Sequence, residues 1–146
     1  MTRSAALLAL ALAACGDDPV APPPPLVLNV SAHTEALHEW GNGVAADDVG
    51  WRLISVTSEG LRGAYNMRWV NGTPSGVEIS YELRFYDASG FELDRYPPVF
   101  SISQSVPAFD ERAASGNFTL PDVTSIEAAN EIARMQIWAS FVFPAP

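Results

Sequence analysis

Between Val77 and Tyr86 every odd-numbered residue is apolar and four of the five even-numbered ones are polar. That is the period of a β-strand with one face in a core. The stretch Leu61 to Trp69 repeats it, with Leu61, Tyr65, Met67 and Trp69 on one side. The two runs flank Asn71-Gly72-Thr73-Pro74-Ser75-Gly76, a turn-rich segment of hairpin length, so they are expected to pair with Trp69 opposite Val77 and Arg68 opposite Glu78. Asp87-Ala88-Ser89-Gly90 has the chemistry of a type I turn closed by a left-handed glycine, after which Phe91-Glu92-Leu93-Asp94 resumes the alternation until Pro97-Pro98 ends ladder bonding. Further strands are expected at Leu26–Ser31, Trp51–Thr57, Phe100–Val106, part of Ala108–Leu120 and Ala133–Phe143, where Met135, Ile137, Phe141 and Phe143 share a face.

One segment breaks the pattern. Thr124-Ser125-Ile126-Glu127 reads as a capping box and Ala128 to Ile132 continues with good helix formers, which predicts a short helix closing one end of the core through Ile126 and Ile132. About seven short strands between turn signals, with one short helix before the last, define an all-β fold: an immunoglobulin-like antiparallel β-sandwich. With 146 residues and 48% hydrophobic composition the chain suits one domain with a core.

The chain opens differently. Thr2-Arg3 is followed by an apolar run from Ser4 to Ala14, about half the ~20 residues that a spanning helix needs. A positive start, a short apolar stretch and small residues before a cut site form a secretory signal. Its end, Leu12-Ala13-Ala14-Cys15, closely resembles the lipobox of bacterial lipoproteins, and the resemblance implies cleavage before Cys15 and lipid on that thiol. Cys15 is the chain's single cysteine, so an intrachain disulfide has no part in the fold. The division is therefore a lipoprotein signal peptide at 1–14, a lipid-anchored Pro-rich tether at 15–25 and the sandwich domain at 26–146. Residues 16–25 include four consecutive prolines, and a polyproline II rise of about 3.1 Å per residue spaces the domain ~30 Å from the lipid. The expected location is the cell envelope, with the domain facing the periplasm or the exterior. In two-membrane bacteria the resemblance to lipoproteins, with Gly16 rather than an aspartate directly after the cysteine, implies the outer membrane.

Charge narrows the partners. All eight basic residues are arginines and seventeen residues are acidic, a formal net charge of −9, and removing the leader with Arg3 makes the remainder more negative still. Such a surface repels polyanions, which argues against nucleic acid as a partner. No phosphate loop, dinucleotide fingerprint or Gly-x-Ser-x-Gly elbow is present, and no cofactor is expected.

Leu83-Arg84-Phe85-Tyr86-Asp87-Ala88-Ser89-Gly90 resembles the hairpin of FxLYD-type domains, small immunoglobulin-like modules of bacterial envelope proteins, here with the first and third positions exchanged. Gly63, Val70-Asn71 and Ala128-x-x-x-Ile132 are similar in layout, whereas Ala32 to Gly50 has no counterpart. The resemblance implies a sandwich with an interaction role and supplies no catalytic residues.

Two sets of residues are candidates for chemistry. His33 and His38 stand near Glu35, Glu39, Asp47 and Asp48 in a stretch read as a solvated polar loop, and imidazole with carboxylate suits a divalent metal. Their spacing of five places them on a common face of neither helix nor strand. Trp138 and Tyr86 fall on the polar faces of their strands beside Arg134, Gln136 and Arg84, with Trp40 in the irregular stretch; aromatics beside arginine suit a partner surface, unless the Ala32–Gly50 segment covers that face. Asp87 reads as a turn residue, and Asp17-Asp18, Asp47-Asp48 and Asp110-Glu111 as solvated loops. The expectation is a non-enzymatic interaction module of the envelope, held to the membrane through N-terminal lipid and binding another envelope protein or ligand. The alternatives are a structural or accessory subunit pairing through a sheet edge, and a metal-dependent hydrolase or metal-binding protein centred on His33 and His38.

Overall fold

In the computed structural model the described residues are Leu28, His33–Glu35 and 38–144, and the side chains of residues 33–35, 38 and 39 stand outside the description. Cys15, the tether and all but Leu28 of the Leu26–Ser31 strand expectation also lie outside the described residues.

The described residues form an all-β sandwich: β1 (His33–Glu35), β2 (His38–Trp40), β3 (Val44–Thr57), β4 (Gly60–Asn71), β5 (Val77–Tyr86), β6 (Glu92–Tyr96), β7 (Ile102–Val106), β8 (Glu111–Leu120), the short helix α1 (Ile126–Glu131) and β9 (Arg134–Val142). Every pairing is antiparallel. In the first sheet β3 pairs with β4 on one side and with β1 and β2 on the other, while β8 closes the far edge on β4. In the second, β5 pairs along its length with β9, and its other side is shared end to end by β6 and β7. Because β1 with β2, and β6 with β7, each share one row, the nine strands fill seven rows.

The two layers meet through aromatic rings. Trp51 of β3 and Phe118 of β8 both pack on Phe85 of β5, at centroid distances of 5.8 and 4.8 Å. Trp69 of β4 lies 5.3 Å from Tyr81 of β5, and the buried Tyr65 and Tyr81 hydroxyls are 3.2 Å apart. Burial raises the Tyr81 phenol well above its ordinary range, and the Tyr65 hydroxyl adds to that.

This placement overturns the expected hairpin of Leu61–Trp69 with Val77–Tyr86. β4 and β5 face each other across the core instead of pairing, so Trp69 is not the partner of Val77, and Arg68 does not face Glu78. The same alternation serves both arrangements, since each strand needs only to bury its odd-numbered face. Segment 71–76 is long enough to cross between layers, and Asn71, 1% exposed, fastens the crossing. Arg68 instead bonds Asp47 at 2.6 Å and lies within ion-pair reach of Asp48 and Glu111. Asp47 and Asp48 therefore belong to β3 rather than to a solvated loop, and the Arg68 guanidinium holds the Asp47 carboxyl below the usual carboxylate range.

The Ala32–Gly50 stretch is likewise strand over most of its described length. The structure adds β1 and β2 and starts β3 at Val44. A bulge explains why the pattern hides this: Val44 and Ala46 point inward, then an extra residue between Asp47 and Gly50, with Asp48 at φ 51°, moves the inward positions to Val49, Trp51 and Leu53. A comparable shift between Phe85 and Tyr86 turns Asp94 inward and leaves Phe91 69% exposed, so the expected alternation fails at both ends of Phe91–Asp94 while Leu93 still packs against the core. Burial raises the Asp94 pKa against the lowering effect of the Arg95 and Asp122 amides that its carboxylate accepts. Phe100, expected in a strand, precedes β7 and is 88% exposed.

The helix forms as expected with its start shifted by one residue: Ser125, not Thr124, is the N-cap, and its Oγ accepts from the Ala128 amide at 3.1 Å. Ala129 and Ile132 are buried, and Ile126 is half-buried. Asp87 organises the β5–β6 turn as expected: its Oδ1 accepts from Ser89 N, Ser89 Oγ and Phe91 N at 2.7–2.9 Å, and Gly90 takes φ 91°. The Ser89 hydroxyl and the Phe91 amide lower the Asp87 pKa. A group depressed in the folded state stabilises above its unfolded pKa and loses that contribution as pH falls through the folded value. An Asp87→Ala variant is therefore expected to melt a few degrees below the parent at pH 7, with the gap narrowing at pH 2; equal gaps at both pH values would contradict the assignment.

Candidate functional site

The outer face of the second sheet carries the aromatic and arginine side chains singled out by strand parity. Register sets Glu82 opposite Trp138, Arg84 opposite Gln136 and Tyr86 opposite Arg134. Arg84 reaches diagonally over the indole, its guanidinium carbon 3.9 Å from the Trp138 ring centroid, a cation–π contact. The same guanidinium donates to the Glu82 carboxylate through Nε at 2.6 Å and through Nη2, and from Nη1 to Glu92 Oε2 at 3.3 Å. Glu92 arrives from β6 because the Asp87–Gly90 turn returns the chain beside β5. Two carboxylates thus fix the cation, and the cation fixes one side of the indole.

Trp138 remains 48% exposed. Tyr86 has a different environment: it is 8% exposed, its carbonyl accepts from the Ala133 amide at 2.9 Å, and the Arg134 guanidinium lies 5.1 Å from its ring. The stretch after Ala32 runs in the other sheet and leaves this face uncovered by its described residues. Trp40 is apart from both. It packs half-buried against the core, 5.4 Å from Trp69 and 5.3 Å from Phe141, and borders a cleft of about 530 Å³ with Val44, Asp47 and Val70. Sequence parity found Trp138, Arg84, Gln136 and Arg134 on one face and missed Glu82 and Glu92 as the clamp on Arg84. The spacing Glu82-x-Arg84 on one strand face was the available signal for half of it.

Backbone register puts His33 opposite Trp51 and His38 opposite Ala46, on two different strands. Among the described residues no group of three or more His, Cys, Asp or Glu is arranged to hold a metal ion, and no helix is long and apolar enough to cross a membrane.

No protein-family model matches the chain, and no curated protein matches it. Among solved structures, the chain is similar to that of a DUF1425 family member from Shewanella sp. pv-4, at 14% identity and a TM-score of 0.37 over 73% of this chain and 95% of that one.

Proposed function

We propose that the chain is a lipid-anchored interaction module of the bacterial cell envelope, acting by binding rather than catalysis. In this reading the signal ends at Ala14, Cys15 carries the lipid, and residues 16–25 space an immunoglobulin-like sandwich from the membrane, the outer membrane where the cell has two. The L-x-F-Y-D hairpin, which resembles that of FxLYD-type domains, fits such a role. The observation that carries the binding reading is the braced yet open Trp138. An aromatic held in one orientation by a neutralised arginine loses little conformational entropy when a partner covers it. Glu82 and Glu92 hold the single guanidinium of Arg84 between them, which suits a fixed recognition surface better than proton transfer. The partner is another envelope protein or a ligand presented there.

The anchor is tested on the full-length chain made in a bacterium with lipoprotein processing. Intact mass should show a mature N-terminus at Cys15 with acyl chains attached, and the protein should sediment with membranes. Each buried methylene contributes about 0.8 kcal/mol, so two or more chains make release negligible. Cys15→Ser is expected to abolish acylation. A parent chain with an unmodified N-terminus downstream of residue 15 would sink the reading.

A further inference from the structure

The second sheet holds a cleft that the Arg84 guanidinium does not line. Its row of β6 and β7 skips a position, because Leu83 faces Tyr96 and Tyr81 faces Ile102. Residues 97–101 therefore leave the sheet opposite Glu82 and rise as a wall. A trough of about 230 Å³ crosses the outer face between that wall, represented by Ser101, and Trp138. Ser80, Glu82 and Ser140 line it between these walls, and Arg84 is not among its lining residues. The guanidinium meets the indole from the Gln136 side of its strand, and the trough reaches it from the Ser140 side.

From this geometry we infer that the trough is a binding site for a neutral saccharide unit. The inference rests on the binding reading above and names its ligand class. An open indole side offers a flat apolar surface to the C–H face of a sugar ring. The Ser80 and Ser101 hydroxyls both donate and accept, the Ser140 hydroxyl, which donates to the Ser80 carbonyl at 3.5 Å, accepts, and Glu82 accepts, which is the mixture that ring hydroxyls require. The volume is below the roughly 300–1,000 Å³ of pockets for drug-sized ligands and suits a single ring. Anions are disfavoured, because the lining contains a carboxylate and no cation, on a chain of net charge −9. Cations gain little as well, since the one carboxylate in the lining, Glu82, is already ion-paired to Arg84.

The test uses the full-length chain, ¹⁵N-labelled at tryptophan, in a detergent without a sugar headgroup. Cellotetraose, maltotetraose, chitotetraose and mannotetraose are titrated separately, with the four indole N–H signals as readout. At least one saccharide should move the signal assigned to Trp138, saturating in roughly the micromolar to millimolar range. Trp138→Ala, whose folding is checked by circular dichroism and whose binding is read beside the parent's by isothermal titration calorimetry, should weaken that binding at least about tenfold, which corresponds to ~1.4 kcal/mol. Ser140→Val, which keeps the indole and fills the floor, should weaken it as well, and Phe109→Ala in the β7–β8 turn should not. If none of the four saccharides shifts the Trp138 signal, or if Trp138→Ala and Ser140→Val bind as the parent does, the inference is overturned. Repeating the titration on Cys15→Ser separates the two readings: a failed anchor leaves saccharide binding intact, and a failed trough leaves acylation intact.

Discussion

An Asn71→Ala variant is expected to lose about 3 kcal/mol of folding stability, read as a lower urea midpoint with an unchanged slope. Asn71 ends β4 at the point where the chain leaves the first sheet for the second. Its Nδ2 donates to the carbonyls of Ser75 at 2.8 Å, Val106 at 3.2 Å and Pro107 at 2.9 Å. Its Oδ1 accepts from Thr73 N at 3.0 Å and Thr73 Oγ1 at 2.7 Å. One amide therefore fastens the crossover segment and ties it to the end of β7 in the opposite layer. Alanine leaves these carbonyls and the Thr73 amide to find water at a site where Asn71 is 1% exposed, and each buried group left unmet costs about 1–3 kcal/mol. Asn71→Asp is the sharper probe, since it keeps the shape but turns a carboxylate toward three carbonyl oxygens. It should be worse than alanine at pH 7 and recover as acid protonates it. A loss under about 1 kcal/mol for alanine would show that the crossover holds without this residue.

The same crossover marks where the sequence stops being legible. Alternation in Val77–Tyr86 identifies a half-buried strand because the odd-numbered side chains of β5 all enter the core. Alternation alone cannot say whether two such strands lie side by side or face to face, as both bury the same residues. That choice is made by contacts remote in sequence, above all Asn71 with Val106 and Pro107. Period two also fails wherever a strand gains a residue. At the Asp47–Gly50 bulge the buried parity changes from even to odd, so β3 is readable from Trp51 onward but not from Val44. The Phe85–Tyr86 irregularity does the same to Phe91 and Asp94.

The candidate site divides along the same line. Trp138 and Arg84 are readable as outward residues of their strands, and the turn that brings Glu92 beside Arg84 is written in Asp87-Ala88-Ser89-Gly90. The excursion of residues 97–101 opposite Glu82 is not, because Pro97-Pro98 announces only that pairing stops. That pairing resumes at Ile102 on the same strand, leaving Ser101 above the sheet, is a tertiary fact. Tyr86 shares the parity of Arg84, yet lies at the strand end under the segment that leads from α1 into β9, and is buried there.

Gly63→Ala is expected to destabilise the domain by about 3 kcal/mol, although alanine is the better residue for a strand interior by most of 1 kcal/mol when space allows. Space decides the sign. Gly63 sits in β4 between Leu53 of β3 and Phe118 of β8, and the Phe118 ring lies across its inner face. A Cβ added there falls 2.7 Å from Phe118 Cε1 and nearer still to Cζ and Cε2. The ring cannot yield cheaply, being 1% exposed and packed 4.8 Å from Phe85 and 6.3 Å from Tyr96. Relief has to come from shortening it. Phe118→Leu alone should cost about 1–2 kcal/mol through lost packing, but in the Gly63→Ala background it should cost nothing or restore stability. The double variant would then be at least about 1 kcal/mol more stable than the two single effects predict together. Additive effects, or a Gly63→Ala protein as stable as its parent, would mean that the first sheet meets the second with slack beside β8. In that case Phe118 would not be what holds position 63 to glycine.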